Sequence, residues 1–171
     1  DHQRTALQKW RDNKFHGLFE LATGAGKTIT AIYGAVKIFE SRKKLFLVVS
    51  VPYQNLADQW EENLKLFNIK PLICYGGENR WLSDLTERVL AFRSGITDFV
   101  AVVVVDATLS SKTGKFFDLL QSLDGDLKNY FLFIGDECHH HGAEAIASRL
   151  PQNASLRIGL SATPDRGEED V

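Results

Sequence analysis

The stretch GLFELATGAGKTITAIYGAVKIF, Gly17–Phe39, decides the fold. The largely apolar run from Phe15 to Leu21 reads as a buried strand. The turn Ala22-Thr23-Gly24-Ala25-Gly26 follows, and near Lys27 a helix begins, with Ile29, Ile32, Val36 and Phe39 at helical spacing. Strand, glycine turn, Lys-Thr and helix in that order make a cradle for phosphate. N–H groups at a helix start point at the anion, and glycines let the backbone approach without a Cβ clash. The cradle comprises Thr23, Gly24, Ala25, Gly26, Lys27 and Thr28. Lys27 would set an ammonium against the β- and γ-phosphates of a nucleotide, and Thr28 would offer its hydroxyl to magnesium. The strict pattern G-x-x-x-x-G-K-[ST] asks for glycine where this chain has Leu21, so the strand–helix context carries the motif. The bland alternative is a glycine-rich turn capping an ordinary helix.

Outward from that stretch, apolar runs alternate with helical patterns. Gln3 to Arg11 reads as a short helix with Ala6, Leu7 and Trp10 inside. Strands are expected at 45–51, 70–75, 99–105, 130–135 and 155–160. Helices are expected at 53–67, 79–93, 109–123 and 144–150, the third interrupted at Thr113-Gly114. Continuous apolar strands such as Leu45–Val51 suit a parallel sheet covered on both faces. The fold class is therefore α/β, a mostly parallel sheet flanked by helices on both faces. Ligands on such sheets bind outside the carboxyl ends of the strands. Thr23-Gly24, Ser50-Pro52, Asp106-Thr108, Asp136-Glu137 and Ser161-Thr163 all fall at such ends and should converge on one edge.

The chain has 171 residues, a single-domain length, with 44% apolar and 25% charged residues. Net charge is −2, so no global basic field advertises nucleic acid, and such a partner must be argued locally. Two cysteines, Cys74 and Cys138, lie far apart without C-x-x-C spacing, which suits a reducing, cytoplasmic setting. No apolar run is long enough to span a bilayer, so no membrane partner is expected. There is no methionine, even at position 1, which reads as a processed product or a piece of something larger.

Phe131–Gly135 is an apolar strand delivering two adjacent carboxylates, Asp136 and Glu137. A phosphate-bound magnesium needs a carboxylate nearby, and Asp136 is the natural candidate. Hydrolysis needs a group that orients and deprotonates water, and Glu137 could do that. Without the cradle the pair would read as a solvated acidic turn. Cys138, His139, His140 and His141 are too closely spaced to converge on one tetrahedral ion, so they read as a polar turn rather than a zinc site.

Together these residues resemble a family. Leu21–Thr28, then Asp136-Glu137-Cys138-His139, then Ser161-Ala162-Thr163 look like motifs I, II and III of superfamily-two helicases and translocases. The flavour, with Glu20–Gly24 and Gly159–Pro164, is similar to the restriction-enzyme-subunit (ResIII) and excision-repair branch. The resemblance covers the whole chain, as the first of two RecA-like P-loop NTPase domains. It implies ATP and Mg2+ as cofactors, with Lys27 and Glu137 catalytic and Thr28 and Asp136 at the metal. It implies that Gln3 reads adenine, since an amide can donate and accept at once. Val51-Pro52 with Leu56, Gln59 and Trp60 resembles motif Ia, and Asp106-Ala107-Thr108 resembles the Ib region. Pro52, Gln59 and Thr108 would thus meet nucleic acid, DNA rather than RNA, though Leu56 and Trp60 read mainly as core. His139, Ser161 and Thr163 would couple the acidic strand to domain closure. A second RecA-like domain is the implied partner, and a nuclease or methylase subunit is a further candidate. Bacterial restriction-modification or DNA repair would be the setting.

Two other classes compete. A nucleotide-regulated binding module would keep the cradle without motor work; Glu137→Gln in the full-length protein separates it from a motor. A P-loop small-molecule kinase would want an arginine-bearing lid, and no arginine-rich stretch follows the cradle suitably.

Overall fold

The computed structural model describes the backbone of residues 2–13, 16–21, 26–136 and 151–162, and the side chains of 4–13, 26–136 and 151–160. The expected helix at 144–150 lies outside the described residues. Six strands form one sheet: β1 (His16–Leu21), β2 (Leu45–Val51), β3 (Leu72–Cys74), β4 (Phe99–Val105), β5 (Phe131–Gly135) and β6 (Leu156–Ala162). Their order is β1-β6-β5-β2-β4-β3, and every neighbouring pair is parallel. The helices are α1 (His2–Asp12), α2 (Lys27–Arg42), α3 (Gln54–Lys65), α4 (Leu82–Arg93), α5 (Asp106–Leu109) and α6 (Lys115–Gln121).

The unbroken apolar strands are explained by a core on each face. Leu45, Leu47, Val49 and Val51 of β2 join Ile32, Ala35, Trp60 and Leu64 from α2 and α3 on one face. Phe46 and Val48 join Leu85, Phe92, Phe116 and Leu120 from α4 and α6 on the other. Each such large apolar side chain contributes about 1.5–3 kcal/mol when fully buried. Alternate residues of one strand thus enter different cores, as the two-residue period of a strand requires.

Where sequence and structure differ, the reason is local. Of the helix expected at 109–123, only Lys115–Gln121 is α6: α5 already ends at Leu109, and Gly114 takes φ 65 and starts α6 anew. The helix expected from residue 79 begins as a 3₁₀ turn, Glu78–Arg80, before α4. A second 3₁₀ segment, Gly125–Tyr130, holds Tyr130 out of β5, and Asp124 accepts a bond from the Gly125 N–H at its start. The edge strand β3 is only three residues long, a common way to blunt an exposed sheet edge. β6 runs past residue 160 to Ala162, pairing Ser161 with Glu20 and Ala162 with Leu21.

The α2 periodicity was right in period and displaced in centre. Ala31, Ile32, Ala35 and Ile38 are the buried apolar positions, while Val36 and Phe39 are only partly buried. Gly34 is buried as well, because α1 crosses there: a Cβ would stand 2.9 Å from Leu7 Cδ2. α2 is therefore covered by the sheet on one side and by α1 on another.

Candidate functional site

Parallel pairing brings the C-terminal ends of the strands to one edge. Val51 pairs with Val105, Ser50 with Gly135, Gly135 with Gly159 and Leu21 with Ala162. β1, β2, β4, β5 and β6 all end at that edge. β6 lies between β1 and β5, so the end of β6 separates the strand that feeds the cradle from the strand that feeds the acidic pair.

α2 starts abruptly. Gly26 adopts φ 74 and ψ 25, a left-handed conformation that glycine takes at no steric cost. Its carbonyl accepts from the Thr30 N–H at 2.8 Å and from Thr30 Oγ1 at 2.9 Å. Those two hydrogen bonds fix the first turn, on which Lys27 and Thr28 stand. First-turn N–H groups lie at the positive end of the helix dipole, a favourable place for an anion.

The acidic strand arrives from the other side. Asp136 directly follows β5, and its N–H donates to Ser50 O at 2.9 Å, so β2 holds its backbone. Its carboxylate is almost enclosed. Lys27 Nζ stands 3.6 Å from Oδ1, with the two side chains 11% and 5% exposed. Trp60 Nε1 donates to Oδ2 at 2.7 Å. Residues 109 apart in sequence thus meet in a poorly hydrated place, where opposite charges attract strongly.

Lys27 and Asp136 are therefore brought together, with Thr28 half-buried on the same turn. Pro52 is half-buried and Gln59 exposed, whereas Thr108 is 7% exposed and offers the least surface of the three nucleic-acid candidates. Gln3 lies on α1 and Ser161 on β6, both placed by backbone alone. Thr23, Gly24, Ala25, Glu137, His139 and Thr163 lie outside the described residues. The Thr28 hydroxyl and the Asp136 carboxylate are hard oxygen donors of the kind magnesium takes, and the Lys27 ammonium in the first turn of α2 is a cation suited to phosphate. Sequence reasoning passed over one partner. Trp60 reads as core from its spacing, and only the fold shows that its buried N–H, which needs an acceptor, meets Asp136.

The family model described as type III restriction enzyme, res subunit, matches residues 1–166. A candidate helicase, number 22, of Sulfolobus islandicus filamentous virus is 30% identical over 152 residues, 88% of this chain and 25% of that protein. Transcript termination protein A18 of Fowlpox virus is 34% identical over 119 residues, 70% of this chain and 21% of that protein. The chain thus spans about a quarter or less of the length of the curated relatives it matches. Among solved structures, the type ISP restriction-modification enzyme LlaGI, as a nuclease-deletion mutant with a DNA substrate mimic, shares the fold at a TM-score of 0.68. It is 17% identical, over 96% of this chain and 17% of that one. The chain belongs to the type III restriction enzyme res-subunit family and has the α/β fold of RecA-like helicase domains.

Proposed function

We propose that the chain is the ATP-binding motor domain of a DNA-directed helicase or translocase, one RecA-like unit spanning residues 1–171. The observation that carries this is the 3.6 Å approach of Lys27 Nζ to Asp136 Oδ1 at the carboxyl edge of the sheet. Two groups of the expected chemistry, from opposite halves of the chain, meet where such sheets bind ligands. The chain's size relative to its relatives and the DNA substrate mimic in LlaGI support the wider reading.

In this reading the amides of residues 23–28 and the Lys27 ammonium hold the triphosphate. The Lys27 ammonium stands between the cradle turn and Asp136 Oδ1, within reach of both a phosphate and the carboxylate. Thr28 and Asp136 would hold magnesium, which when bound would supply positive charge to the phosphate oxygens. Glu137 orients and deprotonates the attacking water, and Lys27 offsets charge developing on the transferred group. Gln3 reads adenine. Pro52, Gln59 and Thr108 meet the DNA backbone. Ser161, on the strand between cradle and acidic pair, couples with His139 and Thr163 to closure on a second RecA-like domain. A nuclease or methylase subunit, and a cytoplasmic place in restriction-modification or repair, belong to the same reading.

The test is titration of a fluorescent ATP analogue with Mg2+ into the chain and its Lys27→Ala variant. Loss of a charge-assisted contact to phosphate should weaken binding by at least about tenfold. An unchanged titration with a folded variant overturns the site. Gln3→Ala should relax the preference for ATP over GTP, and an unaltered preference removes the adenine assignment.

A further inference from the structure

An aspartate at the end of a strand turns about two side-chain bonds unless something holds it. Among the described residues, three groups hold Asp136. Its N–H is bonded to Ser50 O at 2.9 Å, Lys27 Nζ stands 3.6 Å from Oδ1, and Trp60 Nε1 donates to Oδ2 at 2.7 Å. Asp136 is 8% exposed and Trp60 1%. The indole is itself fixed, because Ala57, Trp60 and Leu64 form the buried face of α3 and pack into the core shared with α2 and β2.

We propose that Trp60 is a positioning residue for Asp136, holding Oδ2 so that Oδ1 is the oxygen presented at the metal side of the nucleotide. This rests on the assignment of Asp136 to magnesium made above. The residue type fits the task. An arginine or lysine in that place would orient the carboxylate but also neutralise it and compete with a dication. An indole N–H is a donor without a formal charge and without an acceptor atom, so it fixes the orientation and leaves the negative charge for the metal. Its place in α3 also sets it next to the exposed Gln59, so a shift of that helix moves the donor on which Asp136 depends.

The experiment compares nucleotide binding by the chain and by Trp60→Phe, once in EDTA and once in saturating Mg2+. Phenylalanine keeps an aromatic body in the core and removes the donor. The expected result is near-equal affinity in EDTA and a gain on adding Mg2+ about tenfold smaller than in wild type, the scale of a hydrogen bond to a charged group. A parallel loss in both conditions means that Trp60 only packs, and an unchanged Mg2+ gain means that the bond orients nothing; either overturns the proposal. Absence of nucleotide binding by the wild-type chain would sink the functional reading and this proposal with it. Normal wild-type binding with either of the other two outcomes sinks this proposal alone. If Trp60→Phe does not fold, the ¹⁵N-labelled wild-type chain decides. Adding Mg2+ to the nucleotide-bound chain should move one indole N–H resonance well beyond its response to nucleotide alone, and immobile indole signals overturn the proposal.

Discussion

Cys74 ends β3 wholly buried, and burial pushes its thiol up to about 12 from an ordinary 9.0, with Arg88 opposing and Asp84 adding to the rise. A raised thiol makes stability fall at high pH. Above pH 9.0 the unfolded chain releases this proton while the folded chain keeps it until about 12. Between those values each pH unit costs about 1.4 kcal/mol, so the site contributes a loss of about 1.4 kcal/mol between pH 8 and pH 10. Urea unfolding of wild type and Cys74→Ala at both values isolates the effect from other groups that titrate there. Cys74→Ala should be less stable at pH 8, because it leaves a small cavity, and should lose about 1.4 kcal/mol less on going to pH 10. Parallel losses would show that the thiol titrates alike in both states. Native Cys74 should also resist alkylation at pH 8, since the thiolate is the nucleophile.

At the scale of elements, the contact of α1 with α2 depends on the missing side chain of Gly34. A Cβ there would lie 2.9 Å from Leu7 Cδ2 and 3.5 Å from the Trp10 ring. Leu7 Cδ2 is the end of a rotatable side chain, and alanine gains about 1 kcal/mol of helix propensity over glycine. Gly34→Ala should therefore be close to neutral. Gly34→Leu cannot be absorbed so simply, and should destabilise by about 1–3 kcal/mol by overpacking, lifting α1 from the core. Trp10 donates to Arg157 O at 2.8 Å, so its emission should report that release before global unfolding. Equal urea midpoints for Gly34→Leu and wild type would mean that the two helices are not closely packed.

The same two helices show what the sequence could and could not reveal. Strand existence was legible because each apolar run is bounded by turn residues, and all six runs are strands. The buried face of α2 was not, because a helix covered on two sides loses a clean polar stripe. The break between α5 and α6 was signalled by Thr113-Gly114, and it is real because Gly114 takes φ 65. The register of β6 against β1 depends on partners more than 130 residues away, which no local pattern carries. Within the candidate site, Lys27 and Asp136 were legible from strand–turn–helix and strand–acid contexts. Trp60 was not, because a tryptophan at helical spacing looks the same whether or not its N–H has a carboxylate to meet.

At the scale of the molecule, the described edge supplies a helix start, an ammonium and a carboxylate, and on the proposed reading these bind the nucleotide. Rapid phosphoryl transfer needs more positive charge around the transferred group than one lysine and one metal supply. In related phosphoryl-transfer systems an arginine finger is worth about 10³–10⁵ in rate. On the proposed reading that arginine belongs to the second RecA-like domain of the parent polypeptide. DNA would then accelerate hydrolysis only by closing two domains on one nucleotide. The chain alone should bind Mg-ATP, turn it over slowly, and show the same phosphate release with and without DNA. Joined to its second domain it should become DNA-dependent and faster by a factor of the order just given. Measured phosphate release decides between a split site and a self-sufficient one. DNA-stimulated turnover by residues 1–171 alone would mean that the missing charge comes from this chain, and the place to seek it would be the loops at the carboxyl edge of the sheet.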